Sequence, residues 1–183
     1  MNFVQPIRDE DKLVDIQRYL MATNERNYIL FVLGTYTGLR ISDILRLQVG
    51  MVKGSQISIR EKKTGKKRLI PINPDLKMDL KKYIVGRPDD EYLFKSKSKN
   101  APITRDAAYK MLNTVARKFE LSEIGTHTLR KTFGYHFYSK TKDIALLMEI
   151  FNHSHPSITL RYIGINQETI DNSMNEFRYR NWR

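Results

Sequence analysis

Cysteine is absent from this 183-residue chain, which excludes disulfides, thiolate zinc sites and a cysteine nucleophile and fits a cytosolic, bacterial-type protein. Long apolar runs are missing as well. Nothing approaches the ~18 consecutive apolar residues that mark a membrane helix, and the stretch Tyr28–Leu33 is too short. The opening residues MNFVQPIRDEDKL carry acids and no apolar core, so they do not read as a secretory signal. No GxxxxGK[ST] occurs, which excludes a P-loop, and no internal repeat is present. Acids are the scarcer charge: 20 Asp plus Glu stand against 32 Lys plus Arg, giving +12 and a pI near 9.8. That balance points to a polyanionic partner, nucleic acid first. Carboxylates do not cluster with the histidines, which argues against a metal-dependent nuclease.

What is present reads as one large domain with a sizeable core, mainly α with a small three-stranded antiparallel β-sheet. Asp9-Glu10-Asp11 precedes Leu13, Ile16 and Leu20 at helical spacing, with acids at the positive end of the helix dipole. Asn24 caps a second helix that is apolar nearly all round from Tyr28 to Leu33 and stops at Thr37-Gly38, so it is expected at the centre of the fold. A short helix follows, with Arg40 in the turn before it. Gln56–Arg60 alternates with period two, Arg68–Ile72 is β-rich, and EKKTGKK joins them as a hairpin with a basic tip. Tyr92-Leu93-Phe94 reads as the third strand. Helices are then predicted from Asn73, Thr104, Thr126 and Asp143, and Pro156 opens a loop before the segment SITLRYIGI.

Several residue sets in this chain suit chemistry on a phosphate. His127 and Arg130 lie three apart on one helix face, as a solvated pair would or as two donors to non-bridging oxygens. Arg40 follows a Thr-Gly turn, where a helix N-terminus and a guanidinium can converge on an anion. Lys62, Lys63, Lys66 and Lys67 crowd the hairpin tip, either as a solvated cluster or with one lysine delivered as a general acid; spacing does not say which. His153 and His155 form an HxH pair without a carboxylate in the same turn, so no metal is expected there and a core or surface role is the default.

Four blocks in order, TGLRISDILRL, EKKTGKKRLIPI, HTLRKTFGYHFY and LLMEIFNHSHPSITLRYIGI, resemble the catalytic domain of the tyrosine recombinases, the phage and conjugative-transposon integrases. His153 and Tyr162 stand nine apart, as that family places them. The resemblance implies a DNA breaking-and-rejoining fold and six active-site residues: Tyr162 as nucleophile, Arg40, Lys63, His127, Arg130 and His153. Asp43 falls where the family has an acid supporting the first arginine, and Lys62, Lys66, Lys67 and Arg161 fall where DNA contacts are expected. Asn152 replaces a glycine before His153; Asn tolerates the left-handed conformation, so the turn is expected to survive.

The implied activity is site-specific strand cleavage and rejoining through a 3′-phosphotyrosyl intermediate, with no cofactor, metal or ATP. The partner is double-stranded DNA, met by a homo-oligomer, a tetramer, with a monomer expected off DNA; the location is cytoplasmic, bacterial or phage-encoded, with no membrane. The alternative is a non-catalytic DNA-binding or regulatory derivative, which would be expected to have lost one of the six positions. The chain reads as a single catalytic domain over 1–183, with a core at about 9–166 and a C-terminal helix and basic tail at 167–183. The N-terminal core-binding domain usual in the family is expected to be absent. Ile170, Met174 and Phe177 would form an apolar face that docks on a neighbouring protomer or folds back on its own. Tyr162 itself is expected to be poorly positioned without DNA and a partner.

Overall fold

Helix α1 (Glu10–Thr23) starts where the acids predict: the Asp9 side chain accepts from the Asp11 and Lys12 amides, and Ile16 and Leu20 face the core. The structure, a computed structural model, describes residues 4–60, 62, 65, 67–97, 99–121, 124–165 and 174–178. Asn24 caps α2 (Glu25–Thr37), and Tyr28 through Leu33 are all buried, so this helix is the centre of the main core. Gly38 ends it at φ 62, and a Cβ there would collide with the Phe133 ring. Only glycine satisfies both the left-handed turn and that close approach. The turn delivers Arg40 as the N-cap of α3 (Ile41–Ile44).

After a 3₁₀ turn at Val49–Val52, strands β1 (Gln56–Arg60) and β2 (Lys67–Pro71) pair antiparallel from Gln56↔Pro71 to Arg60↔Lys67. Ile57, Ile59 and Ile70 point inward while Leu69 is exposed, as the period-two pattern requires. Among the described residues the sheet has two strands, not the three expected. Tyr92 makes an isolated bridge to Gln48, and Leu93 donates to the Leu47 carbonyl. That segment therefore pairs with the stretch before the 3₁₀ turn, and too briefly to extend a ladder.

Asn73 caps α4 (Pro74–Tyr83), with proline in the first turn, where a missing N–H costs nothing. Thr104 caps α5 (Arg105–Lys118). Thr126 does not cap α6 (Thr128–Thr141): His127 holds the N-cap position without a side-chain bond, and the Thr126 hydroxyl accepts from Arg105 Nη2 at 3.2 Å. Asp143 caps α7 (Ile144–Phe151), and Asn152 ends it at φ 53, in the expected left-handed conformation. Pro156 is not in a loop. It opens α8 (Pro156–Tyr162), capped by the His155 ring. Leu147, Phe151 and Ile163 form a second, smaller core beneath Tyr162. Of the tail face, Ile170 lies outside the described residues; Met174 and Phe177 are exposed. Among the described residues no helix is long and apolar enough to cross a membrane.

Candidate active site

Arg130, in the first turn of α6, is 2% exposed. Its guanidinium donates through Nη1 to the Gly38 carbonyl and through Nη2 to the Phe151 carbonyl at 3.1 Å, and lies 4.3 Å above the Phe151 ring. Both acceptors sit at C-terminal helix ends, where carbonyls lack intrahelical partners and the dipole is negative. The ends of α2 and α7 thus hold one cation in a fixed plane.

Tyr162, the last residue of α8, reaches into the same space. Its hydroxyl is 3.1 Å from His127 Nδ1, and its ring meets Phe151 and His153 edge-on at 5.4 and 5.3 Å. Burial pushes the phenol above its ordinary pKa, while the charges of Arg130 and Arg40 and a hydrogen bond to Arg130 pull it back. His127 keeps an exposed face, yet its ring is desolvated; that burial, then the charges of Arg105, Arg130, Lys131 and Arg40, hold its pKa below the usual histidine value. The imidazole is therefore neutral at neutral pH. His153 is oriented by a 2.9 Å contact from Nδ1 to the Thr159 hydroxyl, which is fully buried.

Arg40, His127, Arg130, His153 and Tyr162 thus meet in one place, on the ends of four helices. The Tyr162 hydroxyl is within reach of His127 and Arg130, at the end of the helix that Pro156 starts and with Phe151 and His153 against its ring.

Asp43 is fully buried, and its Oδ1 accepts from the Lys62 amide at 2.9 Å. Its Oδ2 is buried without a hydrogen-bond partner among the described residues. The acid expected to support Arg40 therefore ties the start of the hairpin tip to the Arg40 helix. Lys63 and Lys66 lie outside the described residues; Lys62, Lys67 and Arg161 are exposed. Among the described residues no group of histidines and acids could hold a metal.

Sequence reasoning missed Arg105, Lys131 and Thr159. Arg105 bonds Thr126 next to His127. The Lys131 ammonium lies 5.3 Å from the centre of the Tyr162 ring. Only Lys131 carried a signal, as the neighbour of Arg130; the other two act across turns that no periodicity marks.

The overall arrangement matches solved recombinases. A crystal structure of XerA recombinase superposes with a TM-score of 0.77 at 20% identity, covering 97% of this chain and 65% of that one. A XerH site-specific recombinase bound to palindromic difH substrate, a post-cleavage complex, gives 0.75 at 20% identity over 94% and 52%. The fold is that of a tyrosine recombinase catalytic domain. Residues 8–169 match the phage integrase family model, and the chain belongs to that family. It is 51% identical over 170 residues to the probable integrase/recombinase YoeC of Bacillus subtilis, covering 92% of this chain and 94% of that protein. It is 30% identical over 169 residues to a tyrosine recombinase of Pseudothermotoga lettingae, covering 86% of this chain but 57% of that protein.

Proposed function

We propose that this chain is the catalytic unit of a site-specific DNA recombinase in which Tyr162 attacks a phosphodiester of double-stranded DNA. The observation that carries the reading is the Tyr162 hydroxyl at 3.1 Å from Nδ1 of a neutral-biased histidine, beside two arginines. A phenol with a pKa above its ordinary ~10 is a poor nucleophile until its proton leaves. His127 accepts that proton as the Oη–P bond forms. Arg40, Arg130 and His153 donate to the non-bridging oxygens, whose charge grows in the pentacoordinate state; such donors are worth most where water is excluded.

The bond from phosphorus to the 5′-oxygen then breaks, and Lys63 protonates the departing oxygen. Asp43 supports that assignment by fixing the adjacent Lys62 backbone. The products are a 3′-phosphotyrosyl adduct and a 5′-hydroxyl. Because the adduct keeps the energy of the phosphodiester, a 5′-hydroxyl of another strand reverses the step without ATP. Charge stabilisation by arginines fills the place that a metal ion takes in other phosphoryl transfers.

Lys62, Lys66, Lys67 and Arg161 would track the DNA backbone. Non-specific affinity is then dominated by counterion release and falls steeply with salt. Similar solved structures include a Tn1549 transposon integrase in complex with a circular intermediate DNA and a lambda integrase dimer bound to a core site; the chain is proposed to act as a homo-oligomer on DNA, a tetramer for strand exchange. We read residues 1–183 as a single catalytic domain.

The test is a nicked suicide duplex drawn from the DNA flanking the coding region, incubated with the protein in EDTA. A denaturant-resistant protein–DNA adduct is expected from the wild type and not from Tyr162→Phe. An adduct that forms equally in the phenylalanine variant would contradict the assignment, and no adduct from either would favour the non-catalytic, DNA-binding reading.

A further inference from the structure

Residues 4–9, ahead of α1, make no helix or strand, yet they are bonded to α6 and to the turn behind Tyr162. Lys131 Nζ donates to the Val4 carbonyl at 2.6 Å, the Ile7 amide donates to the Thr132 hydroxyl at 2.9 Å, and His136 Nε2 lies 2.9 Å from the Ile7 carbonyl. Thr132 is 1% exposed and Ile7 is part of the main core, so the segment is anchored. From that anchor Arg8 reaches across α6: its guanidinium lies 5.4 Å from the Tyr135 ring centre, and Nη2 donates to the Gly164 carbonyl at 2.9 Å.

Gly164 is two residues beyond Tyr162. It stands at φ +80, and a Cβ there would come within 3.1 Å of Arg8 Nη2, 3.2 Å of Gln5 Oε1 and 3.4 Å of Pro6 Cδ, so the turn lies directly beneath the strap. The turn closes α8 through Gly164 N to Arg161 O at 3.2 Å and Ile165 N to Leu160 O at 2.9 Å. Those two bonds depend on the left-handed glycine holding its place, and Arg8, bonded to the carbonyl of that glycine, ties the turn to the strap. Lys131 adds a second link, because the ammonium that holds Val4 also faces the Tyr162 ring.

We propose that Arg8 is a positioning residue for Tyr162: by holding the Gly164 carbonyl it fixes the end of α8 and keeps the hydroxyl at His127. The proposal rests on Tyr162 being the nucleophile. Arg8 touches no reacting atom in this arrangement, so its loss slows the chemical step and leaves noncovalent DNA affinity nearly alone. Misplacing a nucleophile by ~1 Å costs up to ~10²-fold; with Phe151 and His153 still wedging the ring, roughly a tenfold loss is expected.

The test compares wild type, Arg8→Met and Arg8→Lys. Arg8→Met keeps the stem over Tyr135 without a donor, and Arg8→Lys restores one donor. Single-turnover cleavage of the suicide duplex at saturating DNA is measured beside affinity in a Tyr162→Phe background. The ¹⁹F signal of 3-fluorotyrosine at position 162 is recorded without DNA. Arg8→Met should cleave about tenfold more slowly with affinity within twofold and should broaden or shift the ¹⁹F signal, and Arg8→Lys should recover most of both. Cleavage by Arg8→Met at or above the wild-type rate, a defect confined to affinity, an unchanged ¹⁹F signal or no recovery with lysine would each overturn the proposal. If the wild type itself forms no adduct while its ¹⁹F signal still responds to Arg8→Met, the nucleophile assignment fails instead of the strap.

Discussion

The Tyr162 hydroxyl and the His127 ring are already paired at 3.1 Å, with the histidine held below its ordinary pKa and the phenol above its own. The two shifts oppose ionisation of either partner, which suits the proposed transfer of the Tyr162 proton to His127. Protonating the imidazole would remove the acceptor which that transfer needs. Cleavage should be full at neutral pH and fall as pH drops through a value below ~6.5, the reference for histidine. Arg105→Ala removes the largest charge acting on His127 after burial, so the acidic limb should move to higher pH. Single-turnover rates between pH 4.5 and 8 check both; a limb that stays in place would show that His127 is not the group titrating.

Arg130 and Arg40 should separate stability from chemistry. Arg130 is buried and satisfies two carbonyls at helix ends, so Arg130→Ala leaves acceptors unpaired and should cost roughly 2–4 kcal/mol, or about 6–12 °C in Tm. Arg40 caps α3 only by position and is half-buried. Arg40→Ala should lose ~10²–10³ in cleavage rate with a Tm within a few degrees of wild type. Calorimetry beside the cleavage assay measures the contrast.

Gly134→Ala offers a packing test beneath the nucleophile. A Cβ there would stand 2.7 Å from both the Phe151 ring and Ile163 Cγ2, two fully buried side chains. Helix propensity favours alanine by ~1 kcal/mol, but overpacking a tight contact costs ~1–3 kcal/mol, so packing should win. A lower Tm and slower cleavage are expected, since Ile163 adjoins Tyr162. A stabilised, fully active variant would show that α6 and α8 separate easily.

Lys63 is the proposed donor to the leaving 5′-oxygen. Lys63→Ala should slow cleavage by ~10²–10⁴, the usual worth of a general acid. A 5′-bridging sulfur leaves as a thiolate without needing a proton, so that substitution in the DNA should restore most of the loss. A variant equally slow on both substrates would assign the general acid elsewhere.

Much of this site could be read before any coordinates. The caps Asn24, Asn73, Thr104 and Asp143 act through bonds three residues away, and the buried α2 announces itself by an apolar surface without a polar face. The five converging residues were legible through ordered blocks. Tyr92–Phe94 misled because three apolar residues fit a strand equally well wherever their carbonyls find a partner. Thr126 misled because the helix starts one residue later than its cap signal, with His127 in the N-cap position. The surroundings of Tyr162 were not legible either: Phe151, His153 and the strap at Arg8 come from segments that only the fold brings together.

The central claim is that one tyrosine carries the DNA. Mass spectrometry of the peptide isolated from the metal-free adduct tests it most directly. The account predicts a nucleotide joined through its 3′-phosphate to Tyr162; a modification on any other residue, or a linkage through a 5′-phosphate, would contradict it.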